Sequence, residues 1–133
     1  MIRPIIHVAV GIVFNSQGNV LIAQRPPGKS HCGLWEFPGG KIEPHETVCQ
    51  ALERELFEEI GIKVVTAHPW LKMEYTYPDR HVFLETWIVR QFSGEPTGRE
   101  GQLVQWVSLD GLEGFQFLAA NSDILAKLRT ELN

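Results

Sequence analysis

Apolar positions along the chain follow a strand-like period in some stretches and a helical one in others. Ile5 to Phe14 is apolar and rich in β-branched residues, and Asn15-Ser16-Gln17-Gly18-Asn19 then supplies turn chemistry. Val20 to Ala23 resumes the apolar run, so the pattern predicts a β-hairpin. Arg25 to Gly33 mixes prolines, glycines and polar residues and reads as a loop. Leu34 to Phe37 reads as a short strand closed by Pro38-Gly39-Gly40. The clearest helix is Thr47 to Ile60: Thr47 and Gln50 fit a capping box, and Gly61 stands where a left-handed cap belongs. Strands over Lys63 to Tyr77 and His81 to Phe92 follow, split by the turn Pro78-Asp79-Arg80. Ser93 to Gly101 reads as a loop and Leu103 to Val107 as a short strand. A last helix is predicted from Asn121 or Ser122 to Leu132, with Ile124, Leu125 and Leu128 facing inward. These elements make one mixed α/β domain over residues 1–133.

The long helix carries charge on its apolar side. Projected at about 100° per residue, Val48, Ala51, Leu52, Leu56 and Ile60 form one stripe. Glu55 and Glu59 fall inside it, and Glu58 lies on its border. Burying ionised carboxylates is costly unless they are paired or hold a metal. Spaced three and four apart, they line one side of adjacent turns and repel one another unless a multivalent cation intervenes. Oxygen-only ligands favour Mg²⁺ or Mn²⁺ over zinc. The plainer reading, a solvated acidic patch with Arg54 paired to Glu58, fits the apolar neighbours less well. Gly39-Gly40, a fixed distance upstream, either lets the backbone approach a ligand or makes an ordinary tight turn.

Composition narrows the class. At 44% hydrophobic and 21% charged residues, the chain is neither disordered nor fibrous. The two cysteines, Cys32 and Cys49, do not make a disulfide framework, and neither belongs to a CxxC pair, so structural zinc is a poor expectation. Met1 to Val13 lacks the sections of a signal peptide, and no apolar run reaches the length of a membrane span. The expectation is a cytoplasmic protein with no membrane partner. A net charge of −4 argues against a nucleic-acid polymer as partner but not against a free nucleotide.

Gly40, five residues, Glu46, seven residues, Arg54-Glu55-Leu56, one residue, Glu58-Glu59, one residue, Gly61-Ile62 matches every defined position of the Nudix box. The chain therefore resembles a Nudix hydrolase, with the box at residues 40–62. The resemblance implies an α/β/α sandwich with a mixed β-sheet, the box forming a loop–helix–loop. It implies hydrolysis of a nucleoside diphosphate linked to another group. Glu55, Glu58 and Glu59 would be metal ligands, joined by the carbonyl of Gly39, with Arg54 orienting a glutamate and Glu46 bracing the loop or a water. Glu55 is the better candidate to accept a proton as well.

Outside the box, Leu34 to Glu43, Tyr77 to His81, Gly94 to Gln102 and Ala119-Ala120-Asn121 resemble the MutT-type 8-oxo-dGTP diphosphatases of that family. Carried over, Arg25 would contact the nucleotide, and Glu36, Phe37, Pro38 and Gly39 would line the pocket. Asp79 and Arg80 would close over the base, Glu100 would add a metal ligand, and Asn121 would read the purine edge. Many relatives carry a histidine in the loop after the arginine; here Ser30 stands there with His31 beside it. The substrate expected is 8-oxo-dGTP, the cofactor Mg²⁺ with Mn²⁺ as substitute, the role nucleotide-pool sanitation, and the state a monomer. A diphosphatase for CTP or a modified pyrimidine triphosphate is the alternative within the family. A non-catalytic nucleotide sensor is the alternative outside it, and the complete glutamate set argues against that.

Overall fold

A computed structural model describes residues 4–132; Arg3, within the segment read for a signal peptide, lies outside the described residues. Strand β1 (Ile5–Val13) sends alternate side chains to two layers, as a two-residue period requires. Ala9 and Val13 enter one core, and Val10 and Ile12 enter the other. Strand β6 (His81–Ser93) runs parallel to β1, while β4 (Gly39–Lys41) and β5 (Lys63–Thr76) run antiparallel to their neighbours in the order β4-β1-β6-β5. A second, antiparallel sheet has the order β3-β2-β7, with β2 at Val20–Gln24, β3 at Trp35–Glu36 and β7 at Val104–Val107. Helix α1 (Val48–Ile60) covers the first core with Leu52, Leu56 and Ile60, and helix α2 (Ser122–Lys127) covers the second with Ile124. This is the expected α/β/α sandwich with a mixed sheet.

The expected hairpin does not form. Its turn is present: Asn15 Oδ1 accepts from the N–H groups of Gln17 and Asn19, and Gly18 has φ 78°. Both edges of β1 are occupied, however, by β4 and β6. Strand β2 therefore meets the end of the first strand at a Phe14–Val20 bridge, one residue past β1, and starts the second sheet. The Gly-Gly pair is likewise part of a strand, not a terminating turn. A Cβ at Gly39 would strike the Ala9 carbonyl oxygen of β1, so glycine permits β4 to lie there.

Helix α1 forms as its sequence demands. Thr47 Oγ1 accepts from Gln50 N–H at 3.1 Å, and the Gln50 side chain accepts from Thr47 N–H at 2.9 Å. Gly61, left-handed with φ 74°, donates its N–H to the Phe57 carbonyl. Leu52, Leu56 and Ile60 are fully buried, each contributing about 1.5–3 kcal/mol. Thr47→Ala is expected to destabilise the fold by about 1 kcal/mol and lower Tm by a few degrees; an unchanged melting curve would contradict the cap.

The turn at 78–80 joins β5 and β6 as expected. Between Pro69 and Leu71 the register slips, and the buried Thr86 hydroxyl bonds both the N–H (3.0 Å) and the carbonyl (2.8 Å) of Leu71. The C-terminal helical run spans Ser122 to Leu132 as expected, with α2 passing into a π-helical turn at Leu128–Leu132. Ile124 and Leu128 are buried, with Leu125 packed half-buried against the same core. The 3₁₀ turns Asp110–Gly114 and Ala119–Asn121, with a Trp35–Phe117 bridge near them, had no sequence signal strong enough to read. Among the described residues, no helix is long and apolar enough to cross a membrane.

Candidate active site

A cavity of about 350 Å³ opens on the β1–β6 face opposite α1. Val8 and Val10 of β1 and Val82 and Leu84 of β6 supply apolar wall, and Leu118 and Ala120 add to it. The polar wall includes Arg25, Ser30, Glu36, Glu59, Arg80 and Asn121, with the backbone of Gly39 and Gly40. A smaller recess of about 30 Å³ shares Arg25, Glu36 and Glu59 with it and adds Pro38, Glu100 and Gln102.

Arg54 organises the carboxylates of the box. Its guanidinium grips Glu46 at two points, 2.6 and 2.8 Å, reaches Glu55 at 2.8 Å and Glu58 at 3.4 Å, and donates to the Lys41 carbonyl at 3.0 Å. These bonds hold the Glu46 carboxyl down to about 2 and raise the Arg54 pKa. Glu46 also accepts from Glu43 N–H at 2.9 Å, so it braces the loop ahead of α1. The Arg54–Glu58 pair of the plainer reading therefore exists, but it is the weakest of these contacts.

Glu59 has a different environment. Its Oε2 accepts from Gly39 N–H at 3.0 Å. Burial pushes its carboxyl up to about 8, and the like charges of Glu55 and Glu36 add to that. Burial also raises Glu55, against the opposing pull of Arg54. Glu36 is raised by burial, opposed by Arg25 at 3.4 Å. Glu58 is 54% exposed, at the border of the stripe as its angle implied.

The other expected residues divide. Arg25 Nε donates to the Ser30 carbonyl at 2.8 Å, which brings Ser30 to the cavity wall. His31 instead adopts φ 58° and packs at 5.7 Å against Tyr77, so of the two it is Ser30 that faces the site. Phe37 stacks on Phe117 at 5.3 Å in the core while also lining the cavity. Arg80 lies over the Tyr77 ring at 5.0 Å. Asp79 is 74% exposed and off the cavity wall, because its side chain sits at the turn's outer edge beside Arg80.

Asn121 is 5% exposed, and its side-chain oxygen is, among the described residues, the one buried side-chain polar atom with no hydrogen-bond partner. It occupies the N-cap position of α2 without making a side-chain cap bond. Tyr77, Lys41, Leu118 and Gln102 were missed from sequence. Tyr77 and Gln102 lie inside stretches singled out for resemblance, whereas Leu118 lies in a segment with no readable period.

Among the described residues, no group of three or more His, Cys, Asp or Glu side chains stands arranged to hold a metal ion. The donor chemistry nevertheless fits a divalent cation. Glu55, Glu59 and Glu100 act on one another as like charges, and a cation offsets that repulsion. Gly40 leaves room for the Glu55 carboxyl where any Cβ would collide with it.

The chain belongs to the Nudix family, whose domain model matches residues 9–127. It is 44% identical over 124 residues to the 8-oxo-dGTP diphosphatase of Escherichia coli (strain K12), covering 93% of this chain and 96% of that one. It is 37% identical to the CTP pyrophosphohydrolase of the same organism over 115 residues, 86% of this chain and 84% of that one. A solved MutT structure, from work on Aliivibrio salmonicida and Vibrio cholerae, superimposes with a TM-score of 0.81 at 38% identity, covering 93% of this chain and 96% of that one.

Proposed function

We propose that the protein is a Mg²⁺-dependent diphosphatase that hydrolyses 8-oxo-dGTP to 8-oxo-dGMP and pyrophosphate, removing a mutagenic precursor from the nucleotide pool. The observation that carries the reading is the buried, unpartnered carboxamide oxygen of Asn121, a residue that lines the cavity. Leaving such an acceptor unpaired costs about 1–3 kcal/mol, a cost that a ligand N–H removes. Similarity to the E. coli 8-oxo-dGTP diphosphatase supports the same substrate.

Glu55, Glu58, Glu59, Glu100 and the Gly39 carbonyl would hold the cation. The chemistry Mg²⁺ supplies there is neutralisation of phosphate-oxygen charge and acidification of a water. Arg54 fixes the Glu55 carboxyl at 2.8 Å, and Gly39 N–H fixes Glu59 at 3.0 Å, so both stay aimed while the phosphates move. Glu55 is the candidate to accept the proton of the attacking water. Arg25 and Ser30 line the cavity for the nucleotide, and the apolar β1–β6 wall excludes water from one side of the base.

A CTP-directed activity is favoured by the 37% relative and by nothing in the cavity. A phosphate-release assay over oxidised and ordinary triphosphates separates the two, with 8-oxo-dGTP expected to give the highest kcat/KM. CTP as preferred substrate would overturn the assignment, and activity surviving EDTA would overturn the cation. In ¹⁸O-water, a single turnover is expected to place label in pyrophosphate, from attack at the β-phosphorus. Label in the monophosphate would mean attack at the α-phosphorus, and orthophosphate as first product would contradict both.

A further inference from the structure

The loop before β7 closes the C-terminal end of α1, where helix carbonyls lack partners of their own. Thr97 N–H donates to the Ile60 carbonyl at 3.0 Å, and Arg99 N–H to the Glu59 carbonyl at 2.9 Å. Gln102 adds a link of a different kind. Its Nε2 donates to the Glu59 carbonyl at 3.1 Å, while its Oε1 accepts from Glu100 N–H at 2.8 Å. One side-chain amide thus ties the backbone of Glu59 to that of Glu100 using one donor and one acceptor. Both carboxylate-bearing residues line the small recess, and Gln102 lines it with them. Gly98 sits beneath the Gln102 carbonyl where no Cβ fits, which holds the loop close.

We infer that Gln102 is a positioning residue that fixes Glu100 beside Glu59, so that loop and helix present their carboxylates to one cation. The inference rests on Glu100 being a ligand under the proposed function. A plain capping role predicts something else. Arg99 N–H also reaches the Glu59 carbonyl, so losing the amide leaves that acceptor satisfied. The fold should barely notice the change, while the loop carboxylate is released.

The test is Mn²⁺ binding to the full chain, counted as free Mn²⁺ by electron paramagnetic resonance, beside a melting curve without metal. Gln102→Ala and the volume-preserving Gln102→Met are each expected to weaken Mn²⁺ binding roughly 10-fold with Tm little changed, the scale seen when a ligand's supporting contact is removed. Glu100→Gln should weaken it at least as much. In the Glu100→Gln background, Gln102→Ala should then add nothing, because both changes remove the same interaction. If Glu100→Gln leaves Mn²⁺ binding intact, Glu100 is not a ligand, and its part in the proposed function falls together with the inference. If Glu100→Gln weakens binding but the Gln102 variants do not, or the losses add in the double variant, only the inference falls. A Tm drop in both Gln102 variants with Mn²⁺ affinity unchanged would assign the amide to capping alone.

Discussion

Glu59→Gln is expected to keep the fold and lower kcat by about 10³-fold or more, the scale of losing charge stabilisation and water activation together. The amide is nearly isosteric and can still accept from Gly39 N–H, so β4 and α1 stay joined. Only the capacity to ionise goes. Because burial and like charges push the Glu59 carboxyl up to about 8, the native fold holds its proton more tightly than the unfolded chain does. Stability from this group is complete below the unfolded carboxylate pKa of about 4.3 and declines as pH rises towards about 8. Gln escapes that decline, so at neutral pH the metal-free variant should melt no lower than the parent. Glu58→Gln should lower kcat in the same direction but less, since that carboxylate is 54% exposed and shares Arg54. Near-normal turnover of Glu59→Gln at saturating Mg²⁺ would remove Glu59 from the machinery.

Sequence carried the helix and its chemistry further than it carried the sheets. The limits of α1, its capping box and the left-handed Gly61 are local, each set by residues within a turn of one another, and the structure has all of them. The same holds for the turn that joins β5 to β6. Strand pairing is not local. Asn15 to Asn19 encodes a reversal but not which strand lies beside β1, and β4 and β6 had already taken both edges. The Gly-Gly pair shows a similar limit: its dipeptide suggests a turn, while its reason is the close approach of Ala9 and Glu55. In the site, the helical stripe revealed that Glu55 and Glu59 are partly withdrawn from water. It could not reveal that Arg54 would grip Glu46 more firmly than Glu58, because that depends on where the loop ahead of α1 folds.

Two roles are open to Asn121, a cap on α2, whose N-cap position it occupies, and a reader of the base, and their consequences differ widely. Guanine presents N7 and O6 as adjacent acceptors, whereas oxidation at C8 turns N7 into an N–H donor. A carboxamide offers one donor side and one acceptor side. Asn121 can therefore donate to O6 and accept from N7–H of 8-oxoguanine, while ordinary guanine would set N7 against the amide oxygen. That oxygen is already buried without a partner, so water does not soften the mismatch. An unpaired buried group costs about 1–3 kcal/mol, and several matched bonds acting together discriminate by about 10⁴-fold. Wild-type protein is expected to prefer 8-oxo-dGTP over dGTP strongly in kcat/KM, and Asn121→Ala to lose most of that preference while still hydrolysing triphosphates with Mg²⁺. Its stability should fall little, because the side chain makes no cap bond to α2. A capping role predicts the reverse, with a lower Tm and an unchanged substrate ratio. Measuring kcat/KM for both nucleotides beside the melting curve decides between them, and an unchanged ratio would remove Asn121 from base recognition.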